Sequence, residues 1–276
     1  MSEALPPENR EMHIDPARAR QLSDNLRSIL SRIGPNLPSS ASPVRLVAVS
    51  KLKPANDILA LYESAERQRH FGENYQQELL QKSQLLPKDI RWHFIGALQT
   101  NKCKPLAEQI PNLWCVESVD SAKKADQLEK GRRALIEKAE QNKESPLRVF
   151  VQVNTSGEEE KSGVEPQDAA DLCRHIRDSC PHLHLQGVMT IGAIARSKET
   201  AEGKENEDFI TLRDARDKVA TELGIGQEEL ELSMGMSNDF ESAIRCGSNE
   251  VRVGSTIFGE RPSRQDAKLT EQPGPG

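Results

Sequence analysis

Along most of its length the chain alternates short apolar runs with longer amphipathic segments. The apolar runs lie at 44–49, weakly at 69–71, and then at 92–95, 113–116, 149–153, 185–191, 230–234 and 251–253. Each has the length of a strand and is bounded by polar or glycine residues. Apolar residues recur at helical spacing in the segments between them, at 54–65, 74–86, 121–142, 166–179, 209–223 and, briefly, 238–246. Alternating strands and helices imply parallel pairing, because each helix returns the chain to the same end of the sheet. About eight such units predict a (β/α)8 TIM barrel, with an open doubly wound sheet as the alternative. Residues 15–33 add an N-terminal helix outside the repeat, capped by Asp15 and begun by Pro16.

The ends break the alternation. Residues 1–14 and 262–276 hold too few apolar groups to offset their ordering entropy, and read as flexible tails around one domain at 15–261. A third polar stretch, 196–208, reads as a solvated loop running into a helix start. The chain has 276 residues, enough for a single barrel. With 37 basic and 43 acidic residues its formal net charge is −6, which argues against a general nucleic-acid partner. Mean hydropathy is −0.65 and no long apolar run occurs, which argues against a membrane span. The first residues, Met1 to Glu8, show neither a secretory leader nor a transit peptide. Five cysteines without a CxxC pair read as reduced packing residues of a cytoplasmic protein.

A barrel carries its function at the C-terminal ends of its strands. Lys51 follows the first apolar run directly, in Ser50-Lys51-Leu52-Lys53-Pro54. There its stem would lie against apolar walls, and desolvation would lower its pKa toward a neutral, nucleophilic amine able to form a Schiff base. The plain alternative is a lysine that snorkels to water, and Lys53 is a weaker competitor. Met236-Ser237-Asn238 and Gly254-Ser255-Thr256 end the last two runs, where barrels commonly hold phosphate. Ordinary capping by Ser237 or Asn238 explains the first turn equally well. Arg252 alternates with Val251 and Val253, so it shares one face with Gly254, and the inward face is one of the two choices. A buried guanidinium needs a partner, either a ligand's ring nitrogen or a barrel carboxylate. Asn74 and His93 could line the same mouth or satisfy the core.

Several motifs occur together: Val47-Ala48-Val49-Ser50-Lys51-Leu52-Lys53-Pro54, Phe71-Gly72-Glu73-Asn74-Tyr75, His93-Phe94-Ile95-Gly96, Val153-Asn154-Thr155-Ser156-Gly157-Glu158, Met189-Thr190-Ile191-Gly192, Leu232-Ser233-Met234-Gly235-Met236-Ser237 and Val251-Arg252-Val253-Gly254. In order and spacing they resemble the pyridoxal phosphate homeostasis protein family. The resemblance implies a barrel of the alanine-racemase N-terminal-domain type that binds pyridoxal 5′-phosphate (PLP). By motif match Lys51 is its Schiff-base lysine, and Ser237, Gly254, Ser255 and Thr256 surround its phosphate. Arg252 meets the pyridine nitrogen, with Asn74 and His93 near the ring. The sequence departs from the family pattern at Ala97, at Asn249 and in the lengthened 196–208 stretch.

The same match implies a carrier of PLP in the cell, serving apo PLP-dependent enzymes as possible partners, and no catalytic reaction. An arginine at the ring nitrogen weakens the electron sink on which PLP catalysis relies. A racemase also needs acid/base groups on both faces of its substrate. Only Tyr62 and Tyr75 are available here, both in or near helices, and no second domain is expected after Arg261. A low-activity PLP-dependent amino-acid racemase is the alternative, with a cofactor-free Schiff-base aldolase behind it. A monomer is expected, without a bound metal.

Overall fold

A computed structural model describes residues 12–36, 43–138, 145–158, 162–193, 195–197 and 206–270. Among them, eight parallel strands close a barrel in chain order. They are β1 (Arg45–Val49), β2 (His70–Glu73), β3 (Arg91–Phe94), β4 (Leu113–Val119), β5 (Leu147–Gln152), β6 (Leu183–Met189), β7 (Glu231–Ser233) and β8 (Glu250–Val253). The helices between and around them are α1 (Pro16–Ile33), α2 (Ala55–Glu63), α3 (Gln76–Leu85), α4 (Thr100–Gln109), α5 (Ala122–Lys138), α6 (Ala169–Ser179), α7 (Glu207–Leu223), α8 (Phe240–Arg245) and α9 (Ser255–Phe258). Closure pairs β1 with β8, setting Val47 opposite Arg252 and Ala48 opposite Val253. That register brings the segment after Val49 beside the segment after Val253, although about 200 residues separate them in the chain.

Strand alternation sorts the side chains into two layers. Leu46, Ala48, Val251 and Val253 join the apolar layer between strands and helices. Arg45, His93, Glu117, Glu250 and Arg252 meet one another inside the barrel. The extra helix forms where it was expected. Asp15 caps α1 by accepting from the Arg18 N–H at 2.6 Å. Leu22, Leu26, Ile29 and Ile33 bury one face of α1, each contributing about 1.5–3 kcal/mol. Arg18 ties this helix to the barrel through Asp57 at 2.7 Å and the Phe258 carbonyl at 2.8 Å.

One element was not legible in the pattern. No helix is read from the pattern after β3, yet the segment forms α4 with Pro105 inside it. Proline costs about 3 kcal/mol in a helix interior. Cys103, Leu106 and Ala107 bury a continuous face of α4, and tertiary packing overrides the local penalty.

The expected helix 121–142 is described as far as Lys138, and its last residues lie outside the described set. So do 198–205 of the polar stretch, and 1–11 and 271–276 of the two tails. Within the C-terminal segment, the Leu269 carbonyl accepts from the Ala55 N–H at 2.7 Å, and Arg264 stands 4.7 Å over the Tyr75 ring. No helix among the described residues is long and apolar enough to cross a membrane.

Candidate functional site

The C-terminal ends of β1, β2, β7 and β8 surround a cavity of about 280 Å³. Its walls include Lys51, Asn74, Ser237, Arg252, Gly254 and Ser255, six of the eight residues singled out above. Lys51 enters from the turn after β1. The next residue, Leu52, has a left-handed φ of 62°, a conformation that costs a non-glycine residue about 1–2 kcal/mol. That turn is held because the Leu52 N–H donates to Glu78 Oε1 at 2.7 Å. Lys51 makes no hydrogen bond or ion pair among the described residues. Burial lowers its pKa, and the nearby Arg261 guanidinium lowers it further. Lys53 has a different fate, being buried with its ammonium on the Glu260 carbonyl.

Two small-residue turns form the opposite wall. The Gly254 N–H donates to Ser237 Oγ at 3.3 Å, and the Ser255 and Ser237 hydroxyls lie 3.2 Å apart. A Cβ built on Gly254 would stand 3.2 Å from Val49 Cβ and 3.3 Å from Arg261, so a larger residue would crowd this wall. Capping does not explain the turn at 236–238. Helix α8 begins at Phe240 with Asp239 in the cap position. It is Asp239, not Ser237 or Asn238, that accepts the Met236 N–H, at 2.7 Å. Ser237 is thereby left facing Gly254 and Ser255.

Asn74 reaches the cavity because Gly96 lets the neighbouring strand end come close. A Cβ at Gly96 would fall 2.2 Å from the Asn74 carbonyl oxygen. Asn74 Oδ1 is buried and has no hydrogen-bond partner. An unpaired buried acceptor is costly, and a bound donor at this position would satisfy it. His93 and Thr256 do not line the cavity. Thr256 is exposed on α9. His93 is fully buried inside the barrel, with Nδ1 2.9 Å from Glu117 and Nε2 2.8 Å from His70.

Arg252 forms the cavity floor, and the partners it has in the structure come from the barrel. Its Nη2 donates to the Thr190 carbonyl at 2.6 Å, and Nη1 donates to Ser233 Oγ at 2.5 Å. Glu117 Oε2 lies 3.5 Å away. The guanidinium is therefore anchored from below and from the side while its upper face borders the cavity.

Sequence reasoning did not single out the groups that support these residues. Behind Lys51, Lys82 is completely buried against Glu73 and Glu78, both at 2.7 Å, and donates to the Ser50 carbonyl at 2.9 Å. Burial raises the Glu73 carboxyl, against the pull of Lys82. Glu73 and Glu78 each follow or precede polar residues, and nothing local marks them as buried. Arg261, on the cavity rim, looked like the last residue of the domain. Glu117 did carry a signal: a single carboxylate inside the apolar run of β4.

The fold and this lysine-bearing mouth define a barrel of the alanine racemase N-terminal-domain type, and the family model of that description matches residues 19–262. The chain belongs to the pyridoxal phosphate homeostasis protein family. The protein of that name from Schizosaccharomyces pombe is 45% identical over 246 residues, covering 88% of this chain and 96% of that one. Its Homo sapiens counterpart is 42% identical over 249 residues, covering 88% of this chain and 85% of that one. A solved structure of PipY from Synechococcus elongatus with PLP bound has a TM-score of 0.66 and 30% identity, covering 86% of this chain and 100% of that chain.

Proposed function

We propose that this protein binds PLP at the barrel mouth and serves PLP homeostasis, holding the cofactor on Lys51 and releasing it to acceptors. The carrying observation is the unpartnered Lys51, depressed in pKa, in a cavity with no carboxylate among its described lining residues. Bound PLP supplies an aldehyde that condenses reversibly with amines. The residues present fit such a group. Lys51 offers the amine. The Ser237 and Ser255 hydroxyls, beside the open wall at Gly254, offer donors for a phosphate. Arg252 offers a fixed N–H for a ring nitrogen, and Asn74 Oδ1 an unfilled acceptor. Thr256, exposed beside Ser255, and His93, beneath the floor, act at most through their neighbours.

The same lining supports a carrier over a racemase. Among its described residues the cavity holds no tyrosine, histidine, cysteine or carboxylate to move a second proton. Tyr62 bonds Asp89 away from the cavity, and Tyr75 lies under Arg264. Arg252 keeps its proton and so supports no protonated ring. Ser255 and Arg261 are exposed, so the mouth admits water and small amines. The described cysteines are all free and four of the five are buried, which supports a reducing, cytoplasmic setting. Transfer would run to free amines or to apo PLP-dependent enzymes, from a monomer.

Borohydride reduction of the PLP-treated protein, followed by peptide mass spectrometry, tests the assignment. A covalent adduct is expected on Lys51 and none in Lys51→Ala. The same adduct on another residue, or no uptake at all, overturns it.

A further inference from the structure

Beneath the cavity floor runs a hydrogen-bonded chain that the proposed function leaves unused. Arg91 Nη1 lies 3.3 Å from His70 Nε2 at the N-terminal end of the barrel. His70 Nδ1 is 2.8 Å from His93 Nε2, and His93 Nδ1 is 2.9 Å from Glu117 Oε1. The other Glu117 oxygen is 2.8 Å from Ser233 Oγ, which accepts from Arg252. Proton counting orders the chain. An arginine only donates, so His70 Nε2 accepts, its Nδ1–H donates to His93, and His93 Nδ1–H donates to Glu117. Both histidines are then neutral. Burial agrees, lowering His93 to about 4 and His70 to about 2.

His93, Glu117 and Glu250 also offer three ligand atoms within 4.8 Å of one another, a spacing a metal ion could use. Two guanidiniums already face these carboxylates, Arg45 at 3.0 Å from Glu250 and Arg252 at 3.5 Å from Glu117. A divalent cation would meet like charge, so the cluster is better read as an anchor for arginine.

We infer that Glu117 is a positioning residue for Arg252, holding the guanidinium through Ser233 under the cavity and itself oriented by His93 and His70. Glu117 accepts from two sides and stays in one rotamer. Ser233 Oγ lies 2.8 Å from Glu117 and 2.9 Å from Glu250 Oε1, so its proton goes to a carboxylate and its lone pairs stay free for Arg252. The Thr190 carbonyl fixes the second nitrogen. The inference rests on the proposed role of Arg252 toward PLP, yet the anchoring itself is a property of the protein alone.

The test compares wild type with Glu117→Gln, which keeps the size and removes the charge. In cofactor-free crystals the variant is expected to show Arg252 displaced from Ser233. Its PLP affinity should fall about tenfold or more, and the absorption band of the bound cofactor should shift. Cys115→Ala, in the same strand and making no hydrogen bond to Glu117, Ser233 or Arg252, should leave band and affinity unchanged. Should Glu117→Gln not fold, Ser233→Ala removes the bridge together with the Ser233 contact to Glu250, and should change both in the same direction. An unmoved Arg252, or band and affinity within twofold of wild type in the variant that folds, overturns the inference. If wild type takes up no PLP, the proposed function fails, and the position of Arg252 in cofactor-free crystals still decides this one.

Discussion

Lys51 and Lys82 approach the end of β1 from opposite sides, and the structure treats them in opposite ways. Lys82 is wholly enclosed, with two carboxylates and the Ser50 carbonyl around one ammonium. Lys51 has no carboxylate within hydrogen-bonding reach, and Arg261 stands near it instead. The same side chain is thus paired with carboxylates in one pocket and left without one, its pKa lowered by burial, in the other. Burial penalises both ammonium groups. What separates them is whether opposite charge repays the desolvation. The mouth leaves its amine without a partner, and its rigidity comes from partners supplied one layer behind. Glu78 joins the two layers, because a single oxygen accepts from both Lys82 and the strained Leu52 N–H.

The sharpest way to break this comparison is to remove each amine in turn. Lys82→Met leaves Glu73 buried, and Glu78 partly so, without a countercharge, and should cost about 3 kcal/mol in urea unfolding. Lys51→Met should change stability by less than about 1 kcal/mol while abolishing the covalent adduct. Equal destabilisation by the two would show that Lys51 is also a structural cation.

A second measurement asks whether withheld partners also mark the barrel interior. Burial, and then Glu117, push the Glu250 carboxyl from its ordinary 4.5 to about 7. Folded protein therefore keeps a proton that the unfolded chain releases between those values. The resulting stability is complete below the lower value and is lost as pH rises through about 7. His93 and His70 act oppositely: their stabilisation is present above 6.5 and fades as pH falls. Glu250→Gln removes the first contribution and leaves the second. Between pH 5 and 7 the slope of its unfolding free energy should be more positive than that of wild type, by up to about 1.4 kcal/mol per pH unit. Parallel pH profiles would mean that Glu250 ionises normally in the barrel.

The smallest effect expected is at the rim. Arg261→Ala removes a cation that depresses Lys51, so the amine pKa should move up toward that of an ordinary lysine. The midpoint of adduct formation with PLP, followed against pH, should rise in the variant. Arg261 is exposed and partly screened, so the shift should be modest. No change would assign the depression of Lys51 to burial alone.

Most of the architecture was legible because barrel units repeat two periodicities, a short apolar run and a helical stripe. Helix α4 escaped because Pro105 is a strong local signal, whereas the packing of Leu106 and Ala107 that overrules it is not local. The mouth residues were legible for a related reason. Lys51, Asn74, Ser237 and Gly254 all lie just after the end of a run, and that position draws attention to them. His93 was misplaced by that logic, since it precedes the strand end and faces the sealed interior.

By itself, then, the sequence determined the alternation of strands and helices, the face that Arg252 shares with Gly254 and the place of Lys51 near a strand end, all consequences of alternation within a few residues. Only the tertiary structure decided which charges neutralise one another. Glu117, Ser233 and Arg252 come from three strands and meet through barrel closure. An electrostatic partner is chosen by distance in space, and distance in space depends on register across the whole ring.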